Sequence, residues 1–188
     1  HGRGVEPDVN RALELYTLSA DQGYAQAQYN LGIIYKNGKG VEQDDKRAVE
    51  LYTLAAGQGH AKAQYNIGVA YLEGQGVKQS FKKARKWVNK AARNGLSKKQ
   101  LKKMHKQIDK LDTEAKKKDG ELVLKHSKNG DLDKLKKFAK TYLEEHLEYR
   151  SKKGYTPLIY AAAKGHYYVV KYLIGKGADV NAKDNGGV

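Results

Sequence analysis

The sequence predicts an all-α fold in three parts: a helical repeat solenoid, a long basic helix, and a second, shorter repeat array. Three observations carry this. Gly4-Val5 recurs as Gly40-Val41 and Gly76-Val77, a spacing of 36 residues each time. An apolar 3-4-3-4 seam then runs through a lysine-rich stretch free of Gly and Pro. A different pattern with a recurrence of 33 to 35 residues fills the C-terminal third. Recurrence at a fixed period is the mark of stacked supersecondary units.

The composition fits such a chain. Its 188 residues hold 20 Gly but only 2 Pro, as short helices separated by glycine turns require. With 0 Cys, disulfide frameworks, thiolate zinc sites and cysteine nucleophiles are excluded. No run approaches the roughly 18 apolar residues of a membrane helix, so no transmembrane segment is expected. There is no initiator Met, and a repeat is already under way at the first residues, so the sequence reads as a fragment. The formal net charge is +15, but it is not evenly spread. Residues 1–77 carry 7 Lys/Arg against 9 Asp/Glu, residues 78–118 carry 16 against 3, and residues 119–188 carry 13 against 9. The excess is a property of one block, and hence of one surface.

The first array, residues 1–95, divides into units near 1–39, 40–75 and 76–95. Residues 4–39 and 40–75 are identical at 22 of 36 positions without gaps. In the first unit Ala12, Tyr16 and Ala20, with Leu15 beside them, recur every four residues along one helical face. Asp8 and Asp44 precede the first helix of each unit as N-caps. Gly23 and Gly59 follow these helices at positions that turn left-handed. A second helix is expected from about Ala25 to Tyr35, and again from about Ala61 to Leu72. Gly32 and Gly68 fall inside these second helices at the same phase. Glycine there costs about 1 kcal/mol relative to alanine, so a neighbouring helix is expected to approach closely. The motifs Gly-x-Gly-Val, Ala-x-x-x-Tyr-x-x-Ala-Ala-x-x-Gly and Ala-x-Ala-Gln-Tyr-Asn-x-Gly-x-x-Tyr resemble the Sel1-like repeat, a relative of the tetratricopeptide repeats. The third copy departs from it: Trp87 replaces the Leu of its predecessors, and the Ala-Gln-Tyr-Asn signature is lost after Leu96.

Residues 96–118 form the bridge. Leu101, Met104, Ile108, Leu111 and Ala115 make the seam, while Lys98, Lys99, Lys102, Lys103, Lys106 and Lys110 take up the rest of the circumference. One reading is a capping helix whose stripe covers the end of the first array and whose lysines are solvated. The other is a basic amphipathic helix that docks on an acidic protein, an anionic membrane surface or a nucleic acid.

The second array is assigned to residues 119–188. Gly154-Tyr155-Thr156-Pro157-Leu158 leads through Ala161-Ala162 and Gly165-His166 to Gly177-Ala178-Asp179-Val180-Asn181-Ala182. Thr156 is placed to cap a short helix, with Pro157 at its first position, where a missing N–H is harmless. This stretch resembles an ankyrin repeat at 154–186, and the resemblance implies β-hairpin loops between units. Gly130-Asp131-Leu132 matches Gly165-His166-Tyr167 at a spacing of 35, so residues 119–153 read as a degenerate first unit with a small insertion. Gly187 opens a further, truncated one.

No chemistry is legible. The Gly-x-Gly pairs recur with the repeat period and lack the rest of a phosphate loop. Among the 6 His no pair has metal-helix spacing, and His60 occupies the slot of Tyr24. The Glu144-Glu145-His146 cluster with Glu148 reads as a solvated loop rather than a cation site. No Ser or Thr has a base at a recognisable offset. No cofactor and no catalytic residue is therefore assigned.

Both family resemblances imply a non-catalytic scaffold or adaptor that binds protein partners on a rigid surface. By the ankyrin resemblance the contact residues are Tyr155, Lys183, Asp184 and Asn185, with Tyr160 and Lys164 as secondary choices. Tyr167 and Tyr168 are read as contact or packing residues. Two alternatives stand beside this: binding of nucleic acid or an anionic surface through the basic helix, and service as the interaction arm of a larger enzyme or exported bacterial effector. The cytoplasm is the expected location, with export into a host cell as the alternative.

Overall fold

The computed structural model describes residues 9–138 and 140–187, so the Asp8 cap lies outside the described residues. Ten α-helices and no strand are found among them. The chain divides into two compact units, one ending at Lys110 and the other beginning at Leu111.

The first unit stacks antiparallel helix pairs: α1 (Val9–Asp21) with α2 (Ala25–Asn37), α3 (Asp45–Gly57) with α4 (Ala61–Glu73), then α5 (Phe81–Arg93). The Asp44 carboxylate accepts the Arg47 N–H at 2.9 Å, and Ser80 caps α5 in the same way. Gly59 turns the chain out of α3 at φ +87°, a conformation that side chains rarely adopt. The interhelical glycines are spacers. A Cβ at Gly32 would lie 2.6 Å from the Tyr52 ring, and one at Gly68 would lie 2.8 Å from Val88 Cγ2. Each second helix thus meets the first helix of the next pair at its glycine.

Amides lock the stack in register. Gln28 Nε2 donates to the Ala20 carbonyl at 3.2 Å, and one period later Gln64 Nε2 donates to the Ala56 carbonyl at 3.0 Å. Each glutamine oxygen accepts from the unit that follows, Gln28 from Gln58 and Gln64 from Asn94, both at 2.9 Å. Both glutamines are buried, so each would be costly if left unpaired. Leu51 is buried with Ala27 and Leu31, whereas Leu15 at the same phase is 50% exposed. Leu51 has α2 packed over it; no described helix covers Leu15.

The bridge is longer than its sequence suggests. Residues Lys98–Asn129 form one helix, α6, instead of stopping before Gly120. Gly120 is buried within it, and a Cβ there would enter the Tyr149 ring. It serves a close approach, not a turn. The seam residues Met104 and Ile108 are fully buried, and an Arg85–Asp109 ion pair ties α5 to α6.

In the second unit, α7 (Leu132–Lys136), α8 (Lys140–Glu144), α9 (Pro157–Ala163) and α10 (Tyr167–Gly175) follow α6. Their core joins Val123 of α6 to Leu135, Leu143, Leu158, Val169 and Leu173. Thr156 Oγ1 accepts the Ile159 N–H at 3.3 Å, with Pro157 in the first turn. Gly130 turns at φ +74° directly beside the His166 ring, whose Nε2 lies 2.9 Å from the Lys128 carbonyl. The β-hairpin detail implied by the ankyrin resemblance is not seen as strands among the described residues. The loop after α10 is held to the loop before α9 by single bonds, Asn185 N–H to the Lys153 carbonyl and Asn185 Nδ2 to the Lys152 carbonyl. Such isolated bonds do not make a ladder. The segment expected as a solvated loop around residues 144–148 is solvated at Glu144, Glu145 and Glu148 but not at His146 and Leu147. His146 and Leu147 are buried in the unit, because the His146 ring lies between two backbone carbonyls, Tyr142 at 2.7 Å and Lys116 at 3.1 Å.

Candidate functional site

Three surfaces offer themselves. The first is on the ankyrin-like unit. Tyr155 and Tyr160 meet edge to face at 5.1 Å between ring centroids. Lys128 of α6 lies over the Tyr160 ring at 5.9 Å, a neighbour that no sequence pattern pointed to. Lys164 closes α9 with its side chain exposed. The loop residues divide by role. Lys183 presents an exposed side chain, while its carbonyl accepts from Arg150. Asn185 ties two loops together, and Asp184 accepts the Gly186 N–H at 2.9 Å. Asn185 and Asp184 thus shape the loop that presents Lys183. Tyr167 and Tyr168 are 67% and 73% exposed and stand edge to face at 5.3 Å, so they are surface residues and not packing residues.

The second surface lies on the Sel1-like unit. Leu18 and Leu54 occupy the same repeat position and are 60% and 54% exposed. Leu54 borders an open groove of about 580 Å³ with Arg47, Val49, Glu50, Thr53 and Val77. Its lining combines charged Arg47 and Glu50 with apolar Val49, Leu54 and Val77.

The third is the lysine face. Lys98, Lys99, Lys102, Lys103, Lys106 and Lys110 are all exposed, opposite the buried Met104 and Ile108. Among the described residues, none of Lys98, Lys99, Lys102, Lys103 or Lys106 forms an ion pair. Lys82, Lys86 and Arg93 of α5 add exposed charge to the same unit. Trp87 is half-buried against the Sel1-like core, with Lys90 5.1 Å above its ring.

The titratable groups moved from their ordinary ranges serve packing. Burial pushes the Tyr52 phenol up to about 12. Burial, followed by the Lys62 charge, lowers His60. His60 stacks on Tyr29 at 4.6 Å and caps α4, its Nδ1 accepting the Ala63 N–H. The hydrogen bond to His126 holds Asp131 below the usual carboxylate range. No group of three or more His, Asp or Glu is placed to hold a metal ion among the described residues. No described helix is long and apolar enough to cross a membrane.

The family models agree with the two repeat arrays. The Sel1 repeat model matches residues 1–24, 25–60 and 61–96, and the ankyrin repeat model matches residues 153–185. Among curated proteins, alpha-latrocrustotoxin-Lt1a of Latrodectus tredecimguttatus is 53% identical over 47 residues, 23% of this chain and 3% of that protein. Among solved structures, a Sel1 repeat protein from Oxalobacter formigenes is 41% identical over 44% of this chain and 63% of its own, with a TM-score of 0.44. Cysteine rich protein B of Helicobacter pylori is 26% identical over 48% of this chain and 68% of its own, with a TM-score of 0.46. A protective antigen of uropathogenic Escherichia coli is 24% identical over 94% of this chain and 47% of its own, with a TM-score of 0.49. The chain thus spans only a small part of the curated relative and under two thirds of the first of these structures. With three Sel1 repeats across residues 1–96 and one ankyrin repeat at 153–185, the chain belongs to the Sel1 repeat family.

Proposed function

We propose that this chain is a non-catalytic adaptor that holds protein partners on the preformed faces of its two repeat units. Both repeat families support an interaction scaffold. The observation that carries the finer reading is the Tyr155–Tyr160 pair. The two rings, with Lys164 and Lys183 exposed in the same unit, stand on helix α9 and on loops fixed by the Arg150 and Asn185 hydrogen bonds. Tyrosine is a frequent binding anchor because it buries a large area while losing little side-chain freedom. A surface already ordered loses little further entropy when a partner docks.

The test is affinity capture with the wild-type chain beside a Tyr155→Ala/Tyr160→Ala variant and a Lys164→Glu/Lys183→Glu variant. A specific partner should weaken at least tenfold with the tyrosine pair replaced, about 1.4 kcal/mol or more, while circular dichroism stays unchanged. Partners retained at full affinity by both variants would move the binding site to the Leu18–Leu54 surface or overturn the ankyrin-face assignment.

A further inference from the structure

We infer that the lysine face made by α5 and the first half of α6 is a docking surface for double-stranded DNA, held through its phosphate backbone. Between residues 78 and 110 there are 13 Lys/Arg and a single acid, Asp109. That acid is engaged by Arg85. The face is therefore of one sign, and α5 and residues 98–110 of α6 belong to the same compact unit.

The chemistry of the face narrows what fits it. Protein interfaces are depleted in Lys and depend on aromatic, Met and Arg anchors. Here the cations are mostly Lys, and no exposed large apolar side chain falls between residues 78 and 110. An acidic protein would find charge and nothing to grip. A membrane-surface helix must insert its apolar face, but Met104 and Ile108 are already buried in the protein. Single strands are held by stacking on exposed aromatic rings, and this face presents none beyond the half-buried Phe81 and Trp87.

A duplex backbone needs only positioned positive charge. Lys98, Lys102 and Lys106 fall at four-residue intervals, a rise of about 6 Å per step, with Lys99 and Lys103 as a parallel row. The B-form major groove, about 12 Å wide, admits a helix, whereas the A-form groove of RNA is too narrow to be entered. Lysine ammonium groups are compact point charges that seat on phosphates, contacts that fix position and carry no sequence information. Binding is therefore independent of sequence.

The test is fluorescence anisotropy of the whole chain with a labelled 20-base-pair DNA duplex across a salt series. With about five phosphates neutralised, log affinity should fall against log salt with a slope of about −4.5, roughly 500-fold between 50 and 200 mM. A Lys98→Gln/Lys102→Gln/Lys106→Gln variant should reduce the slope by about 2.7 and weaken binding more than 30-fold at 50 mM. Lys125→Gln/Lys134→Gln/Lys136→Gln, an equal loss of charge in the other unit, should change it less than threefold. Equal losses in the two variants would mean that overall charge, not this face, binds. A slope shallower than −2 would overturn the backbone contact. Tighter binding of a 20-base-pair RNA duplex, a single-stranded 20-mer, phosphatidylserine vesicles or decaglutamate, at matched charge, would overturn the choice of partner.

Discussion

At Gly68 two physical effects act on one substitution with opposite signs. Replacing a mid-helix glycine by alanine ordinarily stabilises by about 1 kcal/mol. Here the new methyl would sit 2.8 Å from Val88 Cγ2 and 3.4 Å from the Ala84 carbonyl, and overpacking costs about 1–3 kcal/mol. Sterics should win, so Gly68→Ala is expected to lower stability in urea unfolding. Gly57→Ala, where no atom lies within 4 Å, should be neutral or stabilising by up to about 1 kcal/mol. A stabilised Gly68→Ala would mean that α4 and α5 are not in close contact. The buried amides follow the same logic of neighbours. Gln64→Leu removes one donor and one acceptor from the register lock, leaving the Ala56 carbonyl with the Gly59 N–H and the Asn94 amide with the Lys90 carbonyl. The expected loss is about 1–3 kcal/mol, while a substitution of the exposed Gln107 should cost under about 0.5 kcal/mol. The close approach at Gly68 was expected from its repeated phase, but the residue that makes it was not, because a glycine's neighbour 20 residues away is not written beside it.

At the scale of elements, the caps couple the helices to pH. The His60 Nδ1 accepts the Ala63 N–H, so its proton sits on Nε2, which faces Gln26 Oε1 at 3.2 Å. Burial lowers its pKa from 6.5, and the folded chain therefore binds this proton less readily than the unfolded one. The stability it contributes is complete above the unfolded imidazole range and is lost as pH falls through that range. Wild type should lose more of its unfolding midpoint between about pH 7.5 and 5 than His60→Tyr, which carries the residue found at Tyr24. Equal losses would remove His60 from the account. The long helix is an element whose two ends answer to different constraints. Its first half is recognisable from the Leu101–Met104–Ile108 spacing. Its continuation through Gly120 is not, because glycine reads locally as a stop and only the Tyr149 ring explains why it is there.

At the scale of the molecule, the two units have separate cores. Leu173 is fully buried among Val123, Leu135, Leu143 and Val169, so Leu173→Ala should cost about 2–5 kcal/mol. Hydrogen exchange should then show lost protection in α7, α9 and α10, with α2 to α4 unchanged. Equal loss in α2 to α4 would mean that the chain unfolds as one cooperative body.

The sequence by itself determined the helical class, both repeat families, the caps at Asp44 and Thr156 and the turn at Gly59. Each of these is local, or repeats at a fixed period, and periodicity survives without a structure. It also located the basic block, since charge is counted and not folded. Only the tertiary structure decided which residue at a repeated phase is covered, with Leu51 buried and Leu15 open. It alone brought Lys128 over Tyr160, placed His146 between two carbonyls and joined Asn185 to the Lys152 carbonyl of another loop. These pairings span 30 residues or more of chain, or depend on what stacks against a helix. No local pattern encodes them, because the packing of distant segments selects them.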